Sequence, residues 1–267
     1  MEKTLKLAVL IPIPEILSKY KITCSSVAHF GAHHGQEVDS YLKNNFTEIH
    51  LFEPQSSCFS ILQKKFGQNK AITLHNFALG SQTETSILNL GSGDGQASSI
   101  LKPELHAELY PYIEFTESEN IEIKRFDDLG LGNVRFLNID IQGFELEALK
   151  GCEKFLGNKI HYIYTEVNRK HVHKNCALIQ EIDEYLEKFD LVRVKTRWWN
   201  MITPWGDAFY IKRSRLSFFQ KLKINLVRLL RIEFFIFTFY DLISLVSIFY
   251  NFFSNKFRNL KNRILPA

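Results

Sequence analysis

The 267-residue sequence contains only four cysteines, and they lie far apart in the chain. No two of them form a CxxC pair, so neither a zinc knuckle nor a thioredoxin-like redox motif is indicated. Isolated cysteines are typical of small buried residues in a reducing compartment. The four are Cys24, Cys58, Cys152 and Cys176.

The sequence also has little net charge, +4, but this value conceals an asymmetry. Residues 1–211 carry 22 basic and 27 acidic side chains, whereas residues 212–267 carry 11 basic and two acidic ones. A nucleic-acid-binding core is therefore not expected, and attraction to anionic surfaces belongs to the C-terminal segment.

A cleavable leader is not indicated by the first residues. Lys3 and Lys6 precede only a short apolar run over residues 7–13, which Pro12 interrupts and which lacks a small-residue cleavage site. We therefore expect a cytoplasmic protein.

Between residues 21 and 213, short β-branched or aromatic runs alternate with segments of helical spacing, which is typical of βα units on a parallel sheet. The predicted strands are residues 27–30, 49–52, 72–77, 134–140, 160–167, 191–195 and 208–212. The predicted helices are residues 36–44, 56–66, 144–155 and 176–189. The polar segment 91–120 fits no such unit; loops of that length are usually lids or disordered segments, and we favour a lid.

The turn after the first predicted strand points to a nucleoside cofactor. Gly31 and Gly35 allow a close backbone approach, and the following helix offers unpaired N–H groups. Glu53 ends the next strand about 20 residues later, where its carboxylate can accept hydrogen bonds from both ribose hydroxyls. The third glycine of a dinucleotide fingerprint is missing, so S-adenosylmethionine, which has no pyrophosphate, fits better. A structural turn beside a surface glutamate is the alternative interpretation.

The most informative stretch runs from Phe136 to Gly151. An apolar strand there delivers Asp140 to the carboxyl edge of the sheet, Gly143 permits a sharp exit, and Glu145 lies in the first helical turn, where its charge suits the helix dipole. This stretch resembles the signature of the FkbM-type S-adenosylmethionine-dependent methyltransferases. Further landmarks of that family follow in the expected order: Phe52 to Pro54, Asn76 to Gly80, Ser98 and Ser99, Phe126 to Leu129, Tyr164 to Glu166, and Gly206 to Tyr210.

The resemblance implies an α/β fold with a Rossmann-like, seven-stranded class I methyltransferase sheet, followed here by a C-terminal helical tail. It also implies methyl transfer from S-adenosylmethionine to a hydroxyl of a glycan, a lipid-linked sugar or a related metabolite. The cofactor-binding residues expected from it are His29, Gly31, His33, Gly35, Glu53, Asn76 and Ala78. The expected acceptor-binding residues are Ser98, Ser99 and Gln142.

Methyl transfer is an in-line displacement at a sulfonium, so the acceptor oxygen must be aligned and a base must accept its proton. Asp140 and Glu166 are our candidates, because they lie on the ends of neighbouring predicted strands; a purely structural role, such as capping a turn, is the alternative for each. His33, His34 and His161 are alternates, since histidine titrates near neutral pH.

His171 and His173 could be interpreted as two metal ligands. No acid or cysteine joins them at a recognisable spacing, and an exposed polar loop explains them, so no metal is predicted.

Two positions depart from the family pattern. His29 stands where the family usually has an aspartate that helps hold the amino-acid end of the cofactor, and Asn138 replaces a common lysine two residues before Asp140. The alternative hypothesis is therefore a non-catalytic glycan-binding or scaffold protein in which the changes at His29 and His33 have removed cofactor binding. A nicotinamide-dependent oxidoreductase is a third hypothesis, which the two-glycine turn disfavours.

The last 56 residues contain 10 of the 23 phenylalanines. From residue 234 to residue 255 the only charge is Asp241, and the polar residues recur at helical spacing on one face: Thr238, Asp241, Ser244, Ser247, Asn251 and Asn255. A central aspartate in a lipid-exposed span would cost about 2.5–3.5 kcal/mol. We interpret this segment as an amphipathic helix on the inner face of a membrane, flanked by basic residues. Packing against the core or a partner chain, and a true span, are the alternatives.

The sequence thus predicts three parts: an N-terminal extension over residues 1–20, a methyltransferase domain over residues 21–213, and a basic, aromatic-rich amphipathic helical tail over residues 214–267. No nucleic-acid partner is expected, and the sequence predicts no oligomeric state.

Overall fold

The computed structural model describes residues 10–200 and 203–229. These residues fall into two compact units. The first includes the described residues up to Trp198 together with Trp205–Leu216, and the second includes the helix that begins at Phe218.

The strands are β1 (Ser26–Phe30), β2 (Glu48–Phe52), β3 (Ile72–His75), β4 (Ala78–Leu79), β5 (Glu84–Leu90), β6 (Glu117–Lys124), β7 (Phe136–Ile139), β8 (Tyr162–Asn168), β9 (Leu191–Trp198) and β10 (Trp205–Lys212). The helices are α1 (Ile13–Tyr20), α2 (Val38–Lys43), α3 (Ser56–Phe66), α4 (Leu105–Leu109), α5 (Glu145–Lys150), α6 (Glu153–Leu156), α7 (Ile179–Glu187) and α8 (Phe218–Leu229). Two short 3-10 turns cover Phe126–Asp128 and Arg213–Arg215.

Seven strands form the main sheet in the order β3-β2-β1-β7-β8-β10-β9, in which the first five are parallel and β10 is antiparallel to both of its neighbours. This is the Rossmann-like, seven-stranded α/β sheet of class I methyltransferases, so the predicted fold class is confirmed. The sheet has its switch point at β1, which lies between β2 and the much later β7. In open α/β sheets, ligands bind outside the carboxyl ends of the strands at such a point.

The central strands are buried along their whole length, which explains why the sequence shows continuous apolar runs there instead of alternation. The core beneath the switch point is aromatic: the Phe30 ring lies 5.5 Å from the rings of both Phe52 and Phe126. Truncating such a buried phenylalanine typically costs about 3–5 kcal/mol. This core holds the ends of β1 and β2 rigidly below the cleft.

A second, three-stranded sheet with the order β4-β6-β5 was not predicted. The predicted loop over 91–120 is correct only for its first part, because α4 and the start of β6 lie within it. The sequence shows no clear apolar pattern there because β5 and β6 are largely exposed and mostly polar. Few of their side chains join the small apolar cluster of this sheet. That cluster consists of Ala78, Leu88, Ile121 and Ile123.

Residues 10–20 of the predicted N-terminal extension pack against the last strands of the sheet. The backbone N–H of Leu10 donates to Asp207 Oδ2 (2.8 Å), and the Tyr20 hydroxyl donates to the carbonyl of Val194 (3.1 Å). Ile13 and Ile16, three residues apart, are buried on one face of α1. This part of the chain therefore belongs to the first unit.

The predicted helix over 144–155 is divided into α5 and α6. A Cβ on Gly151 would lie 2.1 Å from the carbonyl oxygen of Gly80, so only glycine permits this close contact. The backbone turns there instead of continuing as one helix.

Of the predicted tail, the structure describes α8 and the residues that precede it, whereas residues 230–267 lie outside the described residues. No described helix combines the length and the apolar character that crossing a bilayer requires.

Candidate functional site

A cleft of about 610 Å³, partly continuous with solvent, opens at the carboxyl ends of β1, β2 and β7. Seven of the predicted site residues line it: Gly31, His33, Glu53, Ala78, Ser98, Asp140 and Gln142. The fold therefore brings most of the candidate residues together at the switch point.

Gly31 forms part of the floor of the cleft. Its φ is +77°, and a Cβ built there would lie only 1.9 Å from the carbonyl oxygen of Asp140. The N–H groups of Gly31 and Ala32 donate to the carbonyl of Phe52 at 2.9 and 3.0 Å. The ends of β1, β2 and β7 thus meet without a side chain between them, and a ligand can approach the backbone closely.

Glu53 is the buried acid of the cleft, with 6% of its surface exposed. Its Oε2 accepts from the N–H of His33 at 2.7 Å and its Oε1 from the N–H of Gln55 at 2.9 Å. Burial raises the pKa of Glu53 to about 7, although these two hydrogen bonds oppose the shift. Each oxygen keeps further acceptor capacity, so the carboxylate can still bind a diol.

Gln142 joins the two candidate carboxylates. Its Nε2 donates to Asp140 Oδ1 at 2.9 Å and to Glu166 Oε2 at 3.3 Å. Asp140 is exposed to the cleft, whereas Glu166 is buried behind Gln142 and does not line the cleft. The two carboxylates are therefore not equivalent.

The surroundings of Asp140 and Glu166 also shift the pKa values of these two carboxyl groups. Burial and then the charge of Asp140 raise the pKa of Glu166 well above its usual value, so Glu166 favours its protonated form. Desolvation by the surrounding protein also raises the pKa of Asp140, while the hydrogen bond from Gln142 opposes that shift. Asp140 is thus the carboxylate that an acceptor in the cleft would meet.

Glu145 positions the turn that carries Asp140 and Gln142, and its role was not predicted beyond the helix dipole. It is fully buried, and its Oε1 accepts from the N–H groups of Ile141 (3.2 Å) and Gly143 (3.0 Å). Gln142 in this turn has a φ of +54°, which is uncommon outside glycine. The acid at the start of α5 therefore stabilises a strained turn that aims two site residues at the cleft.

Ser98 and Ser99, which were predicted to bind the acceptor, anchor the loop after β5 on two sides of the cleft. The Ser98 hydroxyl donates to Gln55 Oε1 at 3.0 Å, close to Glu53. The Ser99 hydroxyl donates to the carbonyl of Gln142 at 2.7 Å and is itself off the cleft. These two hydrogen bonds hold the loop over the cleft, and its role as a lid stays a prediction.

The structure places His29 away from the cleft, which corrects its expected contact with the cofactor. His29 is buried, and burial lowers its pKa to about 3, so the ring is neutral. The Tyr41 hydroxyl lies within hydrogen-bond distance of His29 Nδ1 (3.2 Å) and accepts from Asn138 Nδ2 (2.6 Å). His29 and Asn138 are also direct partners in the β1–β7 register. The two departures from the family pattern thus form one hydrogen-bonded group beneath the cleft.

Two other predicted cofactor residues support the cleft from outside it. Gly35 lies against α3, where a Cβ would meet the Phe66 ring at 2.5 Å. Asn76 Nδ2 donates to the carbonyl of Glu53 at 2.9 Å and to that of Pro54 at 3.2 Å. Asn76 thus fixes the backbone that presents Glu53, whereas Gly35 lets the turn after β1 pack against α3.

The three histidines considered as alternative bases lie in different places. His161 directly precedes β8 and so lies at the amino end of the strand whose other end carries Glu166, far from the cleft. His33 lines the cleft, and its ring is stacked on that of His34 at 3.7 Å between centroids. Of the three, His33 is the one that lines the cleft.

His171 and His173 have other partners. His171 Nδ1 lies 2.9 Å from the carbonyl oxygen of Cys176, and the buried His173 ring packs against His106 at 5.2 Å between centroids. Among the described residues, the three-donor group with metal-like spacing is instead His33, His34 and Cys58.

The model of the methyltransferase FkbM domain family matches residues 29–191. A solved structure similar to this chain is the methyltransferase FkbM from Methylobacillus flagellatus KT, at 19% identity and a TM-score of 0.47, over 70% of this chain and 43% of that one. The chain thus spans less than half the length of that protein. No curated protein matches the sequence significantly.

Two further solved structures are similar. One is an S-adenosylmethionine-dependent methyltransferase from Aquifex aeolicus, at 12% identity and a TM-score of 0.43, over 76% of this chain and 90% of that one. The other is the magnesium protoporphyrin IX methyltransferase from Synechocystis PCC 6803 with bound S-adenosylmethionine, at 8% identity and a TM-score of 0.44, over 74% of each chain.

Proposed function

Because the chain belongs to the FkbM-type family of S-adenosylmethionine-dependent methyltransferases, we propose that it methylates a hydroxyl of a glycan, a lipid-linked sugar or a related metabolite. The proposal rests on one observation. Asp140, a carboxylate that can accept a proton, lines the same cleft as Glu53, a carboxylate that can accept hydrogen bonds from ribose hydroxyls. The bound cofactor would supply an electrophilic methyl group. Every other requirement of the reaction falls to the residues of this chain.

Glu53 and Gly31 fit the cofactor's nucleoside half. The Glu53 carboxylate would accept from the two ribose hydroxyls, and its position is held by the N–H groups of His33 and Gln55. Gly31 leaves the backbone after β1 without a side chain, so a ligand can lie against it; a Cβ there would clash with the carbonyl of Asp140. Ala78 and Leu79 provide an apolar wall of the same cleft, suited to the flat face of a base.

Asp140 orients the acceptor and accepts its proton. Its carboxylate faces the cleft, and Gln142 fixes one of its oxygens, which leaves the other for the acceptor hydroxyl. Aligning that hydroxyl with the methyl group supplies much of the rate, and the base removes the proton as the new bond forms. Glu166 acts as a positioning residue, since its bond to Gln142 holds the amide that orients Asp140.

Calorimetric titration of the full chain with S-adenosylhomocysteine tests the proposal against the scaffold alternative. We expect saturable binding of about one ligand per chain, because Glu53 and Gly31 are in place and His29 is off the cleft. No detectable binding at millimolar ligand would contradict the enzymatic proposal and favour a non-catalytic protein that keeps the fold.

We also propose that α8 brings the protein to an anionic lipid surface, which suits a lipid-linked acceptor. Helix α8 exposes Phe218 (73%), Phe219 (79%), Leu222 (55%) and Leu226 (53%). Three of these recur every four residues and so share one face. The helix contains basic residues and no acidic ones, as an interfacial helix on anionic lipid would.

The double substitution Phe218→Ser with Phe219→Ser should weaken vesicle binding at least about tenfold, because burying each phenylalanine contributes about 1.5–3 kcal/mol. Co-sedimentation with vesicles of mixed zwitterionic and anionic lipid measures this, and binding should fall as salt is added. Tyr112→Ser is the matched control, since Tyr112 is 66% exposed but lies outside α8. Binding that does not depend on anionic lipid, or that is unchanged by the double substitution, would contradict the proposal that α8 binds an anionic lipid surface.

A further inference from the structure

The adjacent His33 and His34 meet Cys58, which lies 24 residues further along the chain, at the rim of the cleft. One ligand atom from each lies within 4.8 Å of the others. Cys58 is buried in the first turn of α3, while both histidines are partly exposed. Two imidazoles and a thiol form a donor set that borderline divalent cations such as zinc prefer in proteins.

The local backbone explains why these donors converge. His33 has a φ of +45°, a left-handed conformation that is uncommon outside glycine, and the two imidazoles stack with 28° between their planes. Gly35 lets the turn approach α3, since a Cβ there would meet Phe66 and Leu62. The turn thus presents both rings towards the helix that carries Cys58.

The space between the donors also contains a backbone oxygen. The carbonyl of Asp94, in the loop after β5, lies 2.7 Å from His33 Nε2 and 3.9 Å from Cys58 Sγ. His33 Nδ1 lies 2.9 Å from the Gln36 amide. When Nδ1 binds the ion, the Nε2–H donates to the Asp94 carbonyl. When Nε2 binds it, the Gln36 amide turns its oxygen towards the Nδ1–H. Either partner orients the ring, as is usual for metal-bound histidine.

We propose that His33, His34 and Cys58 form a binding site for a zinc-class divalent cation. Tetrahedral nitrogen and sulfur ligands of zinc lie about 3.3–3.5 Å apart, so the donors need to move together by at most about 1.5 Å. Rotation of the partly exposed histidine rings provides this movement. The fourth position belongs to the Asp94 carbonyl or a water molecule, and the ion ties the turn after β1 to α3.

The test uses the full chain, reduced and freed of metal, titrated with Co²⁺ as a spectroscopic substitute for zinc. We expect a thiolate-to-cobalt charge-transfer band in the near ultraviolet, saturating at one equivalent and lost when Zn²⁺ is added, because zinc binds such sites more tightly. Absence of the band in the wild-type chain would overturn the site.

Three variants assign the ligands. Cys58→Ser should lose the charge-transfer band, and His34→Ala should weaken Co²⁺ binding at least about tenfold. Cys24→Ser is the matched control, because Cys24 lies before β1, at the opposite edge of the sheet. A band that persists in Cys58→Ser would overturn the proposal. Should that buried substitution impair folding by circular dichroism, His34→Ala decides: unchanged cobalt affinity refutes the site.

Discussion

Replacing Asp140 with asparagine should reduce methyl transfer by at least about 100-fold while changing the affinity for S-adenosylhomocysteine by less than about twofold. The first value follows from the typical contribution of a positioned general base, about 10²–10⁴. The second follows because Gly31 and Glu53, which fit the nucleoside, come directly after β1 and β2 and are untouched by the change. The amide also keeps a group that can bond to Gln142.

The measurement is transfer of labelled methyl groups from S-adenosylmethionine to a glycan and glycolipid fraction, with affinity measured by calorimetry. Asp128→Asn serves as the control, since Asp128 pairs with the exposed Lys154 and does not line the cleft. Glu166→Gln should reduce transfer less than Asp140→Asn, because Glu166 reaches the cleft only through Gln142. Full turnover in Asp140→Asn would remove Asp140 from the chemistry.

Replacing Glu53 with glutamine should weaken S-adenosylhomocysteine binding about 10- to 100-fold. Hydrogen bonds to a charged group contribute about 1.5–3 kcal/mol, and a 1.4 kcal/mol change is tenfold in affinity. The N–H groups of His33 and Gln55 bond to different carboxylate oxygens, so glutamine keeps an acceptor for one of them and presents an amide nitrogen to the other. The loss of affinity therefore reports the charge and the second oxygen.

Calorimetry measures this effect, and the thermal midpoint of the free protein is recorded alongside it. Glu84→Gln, at the exposed start of β5, is the control and should bind as the wild type does. An unchanged affinity with an unchanged midpoint would mean that the ribose does not meet Glu53.

The pairing of His29 with Asn138 illustrates a limit of sequence reasoning. Both residues stand out singly as departures from a family pattern, but their connection depends on the β1–β7 register and on Tyr41, which lies in α2. Sequence separation of more than 100 residues hides such a contact. The sequence therefore predicted a cofactor contact for His29 where the structure has a neutral core residue.

Glu145 shows the same limit for positioning residues. Its place in the first turn of α5 was evident from the sequence, and so was a favourable interaction with the helix dipole. That its Oε1 accepts from two N–H groups of the Asp140 turn could be seen only when the backbone conformation of Gln142 and Gly143 was known.

The sequence by itself determined the α/β class and the strand ends that carry Gly31, Glu53 and Asp140, and it predicted a nucleoside cofactor. These follow from local information, because a buried parallel strand needs a continuous apolar run and its ligand-binding residues come directly after it. Only the tertiary structure decided which of the two carboxylates faces the cleft, how the loop after β5 is anchored, and that His33, His34 and Cys58 meet. Those depend on burial and on contacts between residues distant in the chain, which periodicity does not encode.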